Sequence, residues 1–301
     1  MQRKTSIILL VLGLAMLLGC KREGQGPRYG ARPPSSNATV YLLAVHPLHN
    51  PAKLMQAYQP LIDHLNGQLE HRGLGLEASR DYANFEEKYG ARSPAFLLPN
   101  PWQTLQAMKV GYHVIATAGD AADFKGIFIV RKDSGIRKPD DLKGKAVSYP
   151  SPTALAACIM PQYFLHSRGI DVRSDIENRY VGSQESSIMN VFLKKTASGA
   201  TWPPPWRAFQ KEHPREAAEL EVVWETEPLI NNSVMVRDDV PPEFRDQVRS
   251  MLTKLHEYAQ GRSILLGMET SRFTPASDGD YDQVRSYIAR FEREVRPVKV
   301  P

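Results

Sequence analysis

Apolar runs alternate with segments of helical periodicity along most of the chain. Runs rich in branched or aromatic residues, bounded by turn-forming residues, predict strands at Val40–Val45, Leu74–Ala78, Ala95–Leu98, Ile127–Val130 and Ala146–Tyr149. Between the first two runs, apolar residues recur at helical spacing at Leu54, Tyr58, Leu61, Ile62 and Leu65. Strands that alternate with helices in this way predict an α/β fold.

Three strand-to-helix junctions are candidate binding positions. Asn50-Pro51 and Asn100-Pro101 each combine a good N-cap with a proline at the first helical position. The loop Pro150–Thr153 precedes a third helix, which we expect to end at Gly169. Free backbone N–H groups and the helix dipole favour anions at such starts, although the same junctions also occur in α/β folds where they bind nothing.

The first 20 residues have a different pattern. Arg3-Lys4 precede the apolar run Ile7–Leu18, which is shorter than the about 20 residues that a membrane-spanning helix needs. We therefore expect a signal peptide over residues 1–19. The ending Leu17-Leu18-Gly19-Cys20 resembles the bacterial lipobox, which predicts acylation of Cys20 and a membrane anchor; an ordinary secretory signal with an incidental cysteine is the alternative. Residues 20–38 are rich in Gly, Pro, Arg and Ser and predict a flexible tether.

Composition and cysteine usage add two constraints. At 301 residues the chain exceeds the size at which single cores stop growing, so we expect two subdomains. The formal net charge of +5 is scattered and includes Arg3 and Lys4, which argues against a nucleic-acid partner. Apart from Cys20 the chain has only Cys158, so no internal disulfide is expected, and its apolar surroundings predict a small buried side chain rather than a nucleophile.

Enzyme and metal motifs give no positive signal. The chain contains no Gly-x-Ser-x-Gly, P-loop, His-Glu-x-x-His or paired-cysteine motif. His46 and His49 are separated by a proline-containing loop with no carboxylate cluster nearby, so ordinary loop histidines are the better interpretation. We expect no enzymatic activity, cofactor or metal; a hydrolase or transferase on this fold is a remote alternative.

Several segments resemble a single protein family. The strand end Val130–Gly135, the turn Asp141–Lys145, the helix from Asn50, the pair Asp81-Tyr82 and the turn Gly182–Ser186 are similar to those of phosphonate-, phosphate- and phosphite-binding periplasmic proteins of ABC transporters. The resemblance implies a type II periplasmic-binding fold, in which two α/β lobes are joined by two crossing strands. We expect the crossings near Gly126–Val130 and Trp224–Ile230, with lobe 1 formed by residues 39–125 plus 229–301 and lobe 2 by residues 126–228.

The resemblance also implies where a ligand would bind. Ala154–Ala157 stands where the family has a Ser-Thr-Ser-Gly cluster, Gln184 and Glu185 replace a histidine and an aspartate, and Trp102 replaces a tyrosine. Trp202 adds an aromatic wall in lobe 2, unless it packs under a surface loop. The candidate ligand-binding residues are Trp102, Asn100, His49, Ser151, Thr153, Ala154, Leu155, Gln184, Glu185 and Trp202.

The expected function follows from this resemblance. It implies a monomeric, lipid-anchored solute-binding protein in the cell envelope, facing the periplasm, or on the outer face of the cell membrane in a Gram-positive organism. Such a protein captures a small anionic or zwitterionic ligand between its lobes and passes it to an ABC permease. Because the ligand motifs are altered, a sensing or interaction module that serves a membrane signalling partner is the alternative, and the ligand is left open.

Overall fold

Two β-sheets, each covered by helices, form the described part of the chain. The structure is a computed structural model and describes residues 39–299. The predicted signal peptide, tether and lipidation site at Cys20 lie outside these residues. Within residues 39–299, no helix has the length and hydrophobicity needed to cross a membrane.

Strands alternate with helices along most of the chain, as the hydrophobic pattern predicts. The strands are β1 (Thr39–Val45), β2 (Arg72–Glu77), β3 (Phe96–Leu98), β4 (Tyr112–Ala118), β5 (Ile127–Arg131), β6 (Ala146–Tyr149), β7 (Glu177–Tyr180), β8 (Ser198–Thr201), β9 (Leu220–Glu225), β10 (Ser233–Arg237) and β11 (Phe273–Pro275). The helices are α1 (Pro51–Asn66), α2 (Tyr82–Gly90), α3 (Pro101–Met108), α4 (Met160–His166), α5 (Gln184–Phe192), α6 (Pro203–Glu212), α7 (Pro214–Ala218), α8 (Pro242–Lys254), α9 (Ala259–Gly267) and α10 (Asp282–Glu294).

Each sheet defines one lobe. The first sheet has the order β11-β4-β10-β3-β1-β2, and the second has the order β7-β6-β8-β5-β9. Both mix parallel and antiparallel pairs: β1 runs parallel to β2 and β3, whereas β10 runs antiparallel to β3 and β4. In the second sheet β6 runs parallel to β7 and β8, whereas β5 runs antiparallel to β8 and β9. We call the part built on the first sheet lobe 1 and the part built on the second lobe 2.

Local sequence signals explain where the helices of lobe 1 begin. The Asn50 side chain accepts a hydrogen bond from the Lys53 N–H, and Pro51 occupies the first helical position of α1. At α3, Asn100 accepts from Trp102 and Gln103 while the Gln103 side chain accepts from the Asn100 N–H, which completes a capping box. Both predicted helix starts are confirmed.

The helix expected after the loop Pro150–Thr153 is less regular than predicted. It opens with a π-helical turn at Leu155–Ile159, continues as α4, and ends at His166 rather than at Gly169. Gly169 follows in a left-handed conformation with φ of 79°, which a glycine adopts without strain. A π turn widens the helix start, and here it leaves Ala156 and Ala157 at the surface that faces lobe 1.

The proline-rich segment after β8 is a helix rather than a surface loop. Pro203, Pro204 and Pro205 fill the first turn of α6, where a missing N–H leaves no intrahelical hydrogen bond unmade. Trp202 precedes this helix and is buried, with its ring 5.5 Å from that of Phe124 and at 61° to it. The prolines restrict the backbone at the start of α6, directly after the contact of Trp202 with Phe124.

The two segments that join the lobes run side by side. Gly126 N–H donates to Thr226 Oγ1 and Gly126 O accepts from Thr226 N–H, both at 2.9 Å, and Leu229 N–H donates to Phe124 O at 3.0 Å. The first crossing lies before Gly126 instead of spanning Gly126–Val130, because Ile127 already pairs with β8 and β9. The expected boundaries at 125/126 and 228/229 fall at these joining segments and stay a prediction.

A methyl group at Gly126 is expected to disturb both the joining segments and the helix that begins at Leu155. A Cβ there would lie 2.5 Å from Ala156 O and 2.7 Å from Pro161 Cγ, so backbone would have to move. Overpacking of this kind costs about 1–3 kcal/mol. We expect Gly126→Ala to lower the free energy of unfolding by about that amount in urea denaturation.

The control is Gly90→Ala at the end of α2, where a Cβ would meet no atom within 4 Å. It should leave the free energy of unfolding unchanged or raise it by up to about 1 kcal/mol. Equal stabilities of the two variants would contradict the close packing at Gly126.

Candidate ligand-binding cleft

A small cavity lies between the lobes, against the helix start at Leu155. Lobe 2 contributes its backbone turn and two side chains, and the facing wall comes from lobe 1 and the joining segments. The lining residues are His46, Tyr82, Asn100, Phe124, Ala154, Leu155, Ala156, Ala157, Gln184, Trp202 and Asn232. The cavity has a volume of about 10 Å³, enough for roughly one water molecule. A larger ligand therefore requires the lobes to stand somewhat further apart.

Backbone donors form the floor of this cavity. The first hydrogen bond of the helix runs from Ile159 N–H to Ala154 O at 3.1 Å. Among the described residues, the N–H groups of Leu155, Ala156 and Ala157 have no acceptor. Buried N–H groups need acceptors, and a helix start carries partial positive charge, so this floor favours an anion.

Asn232 brings an unused amide to the same cavity. Its side chain is 3% exposed, and Oδ1 is fully buried without a hydrogen-bond partner among residues 39–299. An unsatisfied buried polar group costs about 1–3 kcal/mol, so this free acceptor in a cavity points to a ligand that donates a hydrogen bond to it. Asn232 also lines a neighbouring small cavity on the other side of Trp202.

His46 and Tyr82 complete the polar lining on the lobe 1 side. His46 Nδ1 lies 2.8 Å from Leu98 O, which only accepts, so Nδ1 carries the proton and a neutral ring leaves Nε2 as an acceptor. Burial lowers the pKa of His46 to about 4, against the opposing effect of that hydrogen bond, and the ring is neutral at pH 7. The Tyr82 hydroxyl accepts from Gln184 Nε2 at 3.0 Å and keeps its own proton for donation. Burial raises its pKa, so that proton stays bound.

A buried carboxylate fastens the lobes beside the cavity. Glu86 Oε1 accepts from Gln103 Nε2 at 3.0 Å and from the Thr153 hydroxyl of lobe 2 at 2.7 Å, while Oε2 is buried without a partner in the described chain. Burial raises the pKa of Glu86, and the two hydrogen bonds only partly oppose that shift. Asn100 Nδ2 adds another interlobe hydrogen bond, to Thr153 O at 3.3 Å.

Ion pairs close the rim on the side of α6. Arg207 pairs with Asp123 at 2.9 Å and with Glu269 at 3.0 Å, and Lys211 also pairs with Glu269. Lys53 of α1 pairs with Glu212 at 2.6 Å. All four contacts join α6 of lobe 2 to lobe 1 or to a joining segment, so the structure is that of a closed cleft.

The comparisons with known proteins identify the family. Residues 43–281 match the family model described as "ABC transporter, phosphonate, periplasmic substrate-binding protein". The chain belongs to this family. Its members are substrate-binding proteins of transporters and not enzymes, as expected from the motifs, and the family assignment places this protein in the periplasmic, or envelope, class.

One curated relative of this phosphonate-binding family member is the probable ABC transporter phosphite binding protein PhnD1 of Prochlorococcus marinus (strain MIT 9301). It is 23% identical over 196 residues, which cover 61% of this chain and 66% of the relative. The matched part is thus slightly less than two thirds of that relative.

Solved structures of the family share the fold. A binding protein component of an ABC phosphonate transporter from Pseudomonas aeruginosa superimposes with a TM-score of 0.79 at 15% identity, covering 85% of this chain and 88% of the other. PhnD1 of Prochlorococcus marinus in complex with methylphosphonate gives 0.77 at 18% identity, covering 85% and 99%. The predicted type II periplasmic-binding fold is confirmed.

The structure brings together half of the ligand-binding residues predicted for this family member. Asn100, Ala154, Leu155, Gln184 and Trp202 line the cavity. Ser151 and Thr153 are buried beside it, but their hydroxyls bond to each other at 2.9 Å and Thr153 also bonds to Glu86, so neither is a free donor. The ligand-binding roles of all these residues stay a prediction.

The remaining predicted residues lie elsewhere. Trp102 is buried in the hydrophobic core and lines neither small cavity, because the capping of α3 turns Asn100 to the cleft two residues earlier. His49 lines the neighbouring cavity, and its pKa is lowered to about 3 by burial first and by Lys53 second. Glu185 faces away and lies 3.4 Å from His213 within lobe 2. In residues 39–299 no group of His, Cys, Asp or Glu could hold a metal ion.

Sequence reasoning missed His46, Tyr82, Asn232 and Glu86 as members of the site and its support. Glu86 had a readable signal, because it occupies the buried stripe of α2 together with Tyr82, Phe85 and Tyr89. Asn231-Asn232 had another, since two amides stand directly before the apolar strand β10. A polar side chain at a position whose spacing predicts burial is the feature to look for.

The raised pKa of Glu86 predicts a pH dependence of stability. The unfolded carboxyl titrates near 4.5 and the folded one at higher pH, so the folded state binds more protons in that window. The stability that Glu86 contributes is present below pH 4.5 and is lost as the pH rises through the folded pKa. Glu86→Gln mimics the protonated form, and its advantage over the wild type in urea unfolding should therefore grow from acidic to neutral pH.

Glu243→Gln on the exposed surface of α8 is the control and should track the wild type. His46, whose pKa is lowered to about 4, also makes the stability depend on pH. Its contribution is present in both the variant and the wild type, so it cancels in the difference between their free energies of unfolding. A difference between Glu86→Gln and wild type that shrinks as the pH rises would contradict the assigned direction.

Proposed function

We propose that this protein is a lipid-anchored solute-binding protein that captures a small oxyanion of the phosphonate or phosphite class between its lobes. The observation that carries the proposal is the cavity that holds both the unpaired N–H groups of Leu155–Ala157 and the unpaired amide oxygen of Asn232. An oxyanion can accept from several of these N–H groups at once, and a hydroxyl on a partly protonated oxyanion can donate to Asn232 Oδ1, which a neutral apolar ligand cannot do.

The protonation states of the lining support a partly protonated anion. Tyr82 donates, whereas neutral His46 offers an acceptor at Nε2. A hydrogen phosphonate or hydrogen phosphite has both acceptor oxygens and one hydroxyl donor, which matches this lining. No Lys or Arg side chain is among the lining residues, so the groups that would contact the ligand directly are dipoles and hydrogen-bonding groups.

The cellular role follows from the family and from the N-terminal sequence. Acylation of Cys20 would hold the protein in the cell envelope on the tether of residues 20–38, and the monomer would deliver its ligand to an ABC permease. The interlobe contacts of Glu86, Gln184 and α6 support a working motion in which the lobes close around the ligand.

The test is a binding panel on the full-length protein with methylphosphonate, phosphite, phosphate, an alkanesulfonate and choline, read by thermal unfolding and calorimetry. A ligand at 100 times its dissociation constant stabilises a protein by about 2.7 kcal/mol. We expect stabilisation by methylphosphonate or phosphite and none by choline. Absence of binding by every anion would overturn the proposal and favour the interaction module.

The Asn232 amide is expected to matter for binding and not for folding. Asn232→Leu keeps the branched shape of the side chain and removes an amide whose buried oxygen has no intramolecular partner, so unliganded stability should stay the same or rise by up to about 1–3 kcal/mol. Loss of a hydrogen bond to a charged ligand costs about 1.5–3 kcal/mol, so the dissociation constant for the best anion should rise about tenfold or more.

Asn66→Ala is the matched control with the reverse pattern. The Asn66 side-chain amide donates to Leu74 O at 2.9 Å and accepts from Leu74 N–H at 2.7 Å, and neither residue lines the cavity. This variant should lose stability and keep its affinity. Unchanged affinity in Asn232→Leu would remove Asn232 from the site.

A further inference from the structure

We propose that Arg296 is a positioning residue for the anion site. Its guanidinium contacts Pro152 and Cys158, which flank the segment with the free N–H groups, and places an unpaired positive charge on the side of that segment away from the cavity. The inference rests on the proposed function, because it concerns the same site. It adds a residue that does not line the cavity.

Arg296 reaches lobe 2 from the chain end of lobe 1. It follows α10, which packs against α3 of lobe 1. The final turn of α10 is held on α4 of lobe 2, since Tyr163 donates to Glu294 at 2.9 Å and the rings of Tyr163 and Tyr287 lie 5.5 Å apart. This contact brings the half-buried guanidinium of Arg296 to the back of the binding segment.

The contacts of Arg296 flank Ala154–Ala157 on both sides. Nη2 donates to Pro152 O at 3.2 Å on one side and lies 3.6 Å from Cys158 Sγ on the other. Nε donates to Oε1 of the fully buried Gln162 at 2.7 Å. One planar group therefore fixes the loop before the N–H groups, the turn after them and the helix that follows.

The charge of Arg296 is not neutralised nearby. None of the ion pairs among residues 39–299 includes Arg296, and the neighbouring Glu294 pairs with Arg293 at 2.6 Å. A guanidinium stays charged at any accessible pH. Because the cavity itself is lined by no cationic side chain, this half-buried charge is placed to favour an anion at the N–H groups.

The experiment compares methylphosphonate, phosphite and phosphate binding to the full-length wild type, Arg296→Lys and Arg296→Gln. Gln removes the charge and shortens the reach, whereas Lys keeps the charge without the planar fork. We expect the Gln variant to bind the best anion about tenfold or more weakly, as for loss of one charged group that supports a buried anion, and the Lys variant to recover part of that loss.

Arg290→Gln is the matched control. Arg290 is also an α10 cation at the lobe contact, with its guanidinium carbon 5.0 Å from the ring centre of Tyr163, but within the described residues it makes no hydrogen bond to Pro152, Cys158 or Gln162. It should leave affinity unchanged even where it lowers the unfolding temperature. Thermal unfolding without anion therefore separates a stability defect from a binding defect.

The affinities of the variants and of the wild type separate the possible results. Equal affinity of wild type and Arg296→Gln would overturn the inference and leave the proposed function standing. If the Lys and Gln variants lose the same amount of anion affinity, the charge of Arg296 does not contribute to binding. A wild type that binds none of the three anions overturns the proposed function and this inference with it. Should Arg296→Gln not fold, the Lys variant against Arg290→Gln gives the same comparison, and equal affinities there overturn the inference.

Discussion

A helix that begins inside a closed cleft must find acceptors for its first N–H groups, and the rest of the structure is arranged around that requirement. The N–H groups of Leu155, Ala156 and Ala157 face the space between the lobes, where bulk water is excluded. The neighbouring hydroxyls are already engaged, since Ser151 bonds to Thr153 and Thr153 to Glu86. The cleft thereby keeps its donors for a ligand and uses its side-chain hydroxyls for closure.

Closure itself is balanced between favourable and unfavourable terms. Glu86 accepts one hydrogen bond across the cleft, from Thr153, and one within lobe 1, from Gln103, but leaves one buried oxygen unpaired, and burial favours its protonated form. The ion pairs of α6 lie at a partly exposed rim, where each contributes little alone and salt weakens it. A binding protein needs such a balance, because a cleft that closed too firmly would not release its ligand.

Sequence patterns located most of the scaffold and about half of the lining. The run Ile127–Val130 became the buried strand β5, and Asn50 and Asn100 became helix caps, because these signals are local. The helical nature of α6 was not predicted, since a run of prolines also suits a loop. Asn232 and Arg296 could not be placed at the site because they reach it only through the long-range pairing of the lobes, more than 70 residues away in the chain, whereas Trp102, chosen from a motif position, packs in the core.

The central claim is that the anion sits on the N–H groups of Leu155–Ala157 and on the amide of Asn232. It is tested most directly by nuclear magnetic resonance of the ¹⁵N-labelled protein titrated with methylphosphonate or phosphite. We expect the largest shifts on the backbone amides of Leu155, Ala156 and Ala157 and on the side-chain amide of Asn232. Binding that leaves these four signals in place would contradict the claim.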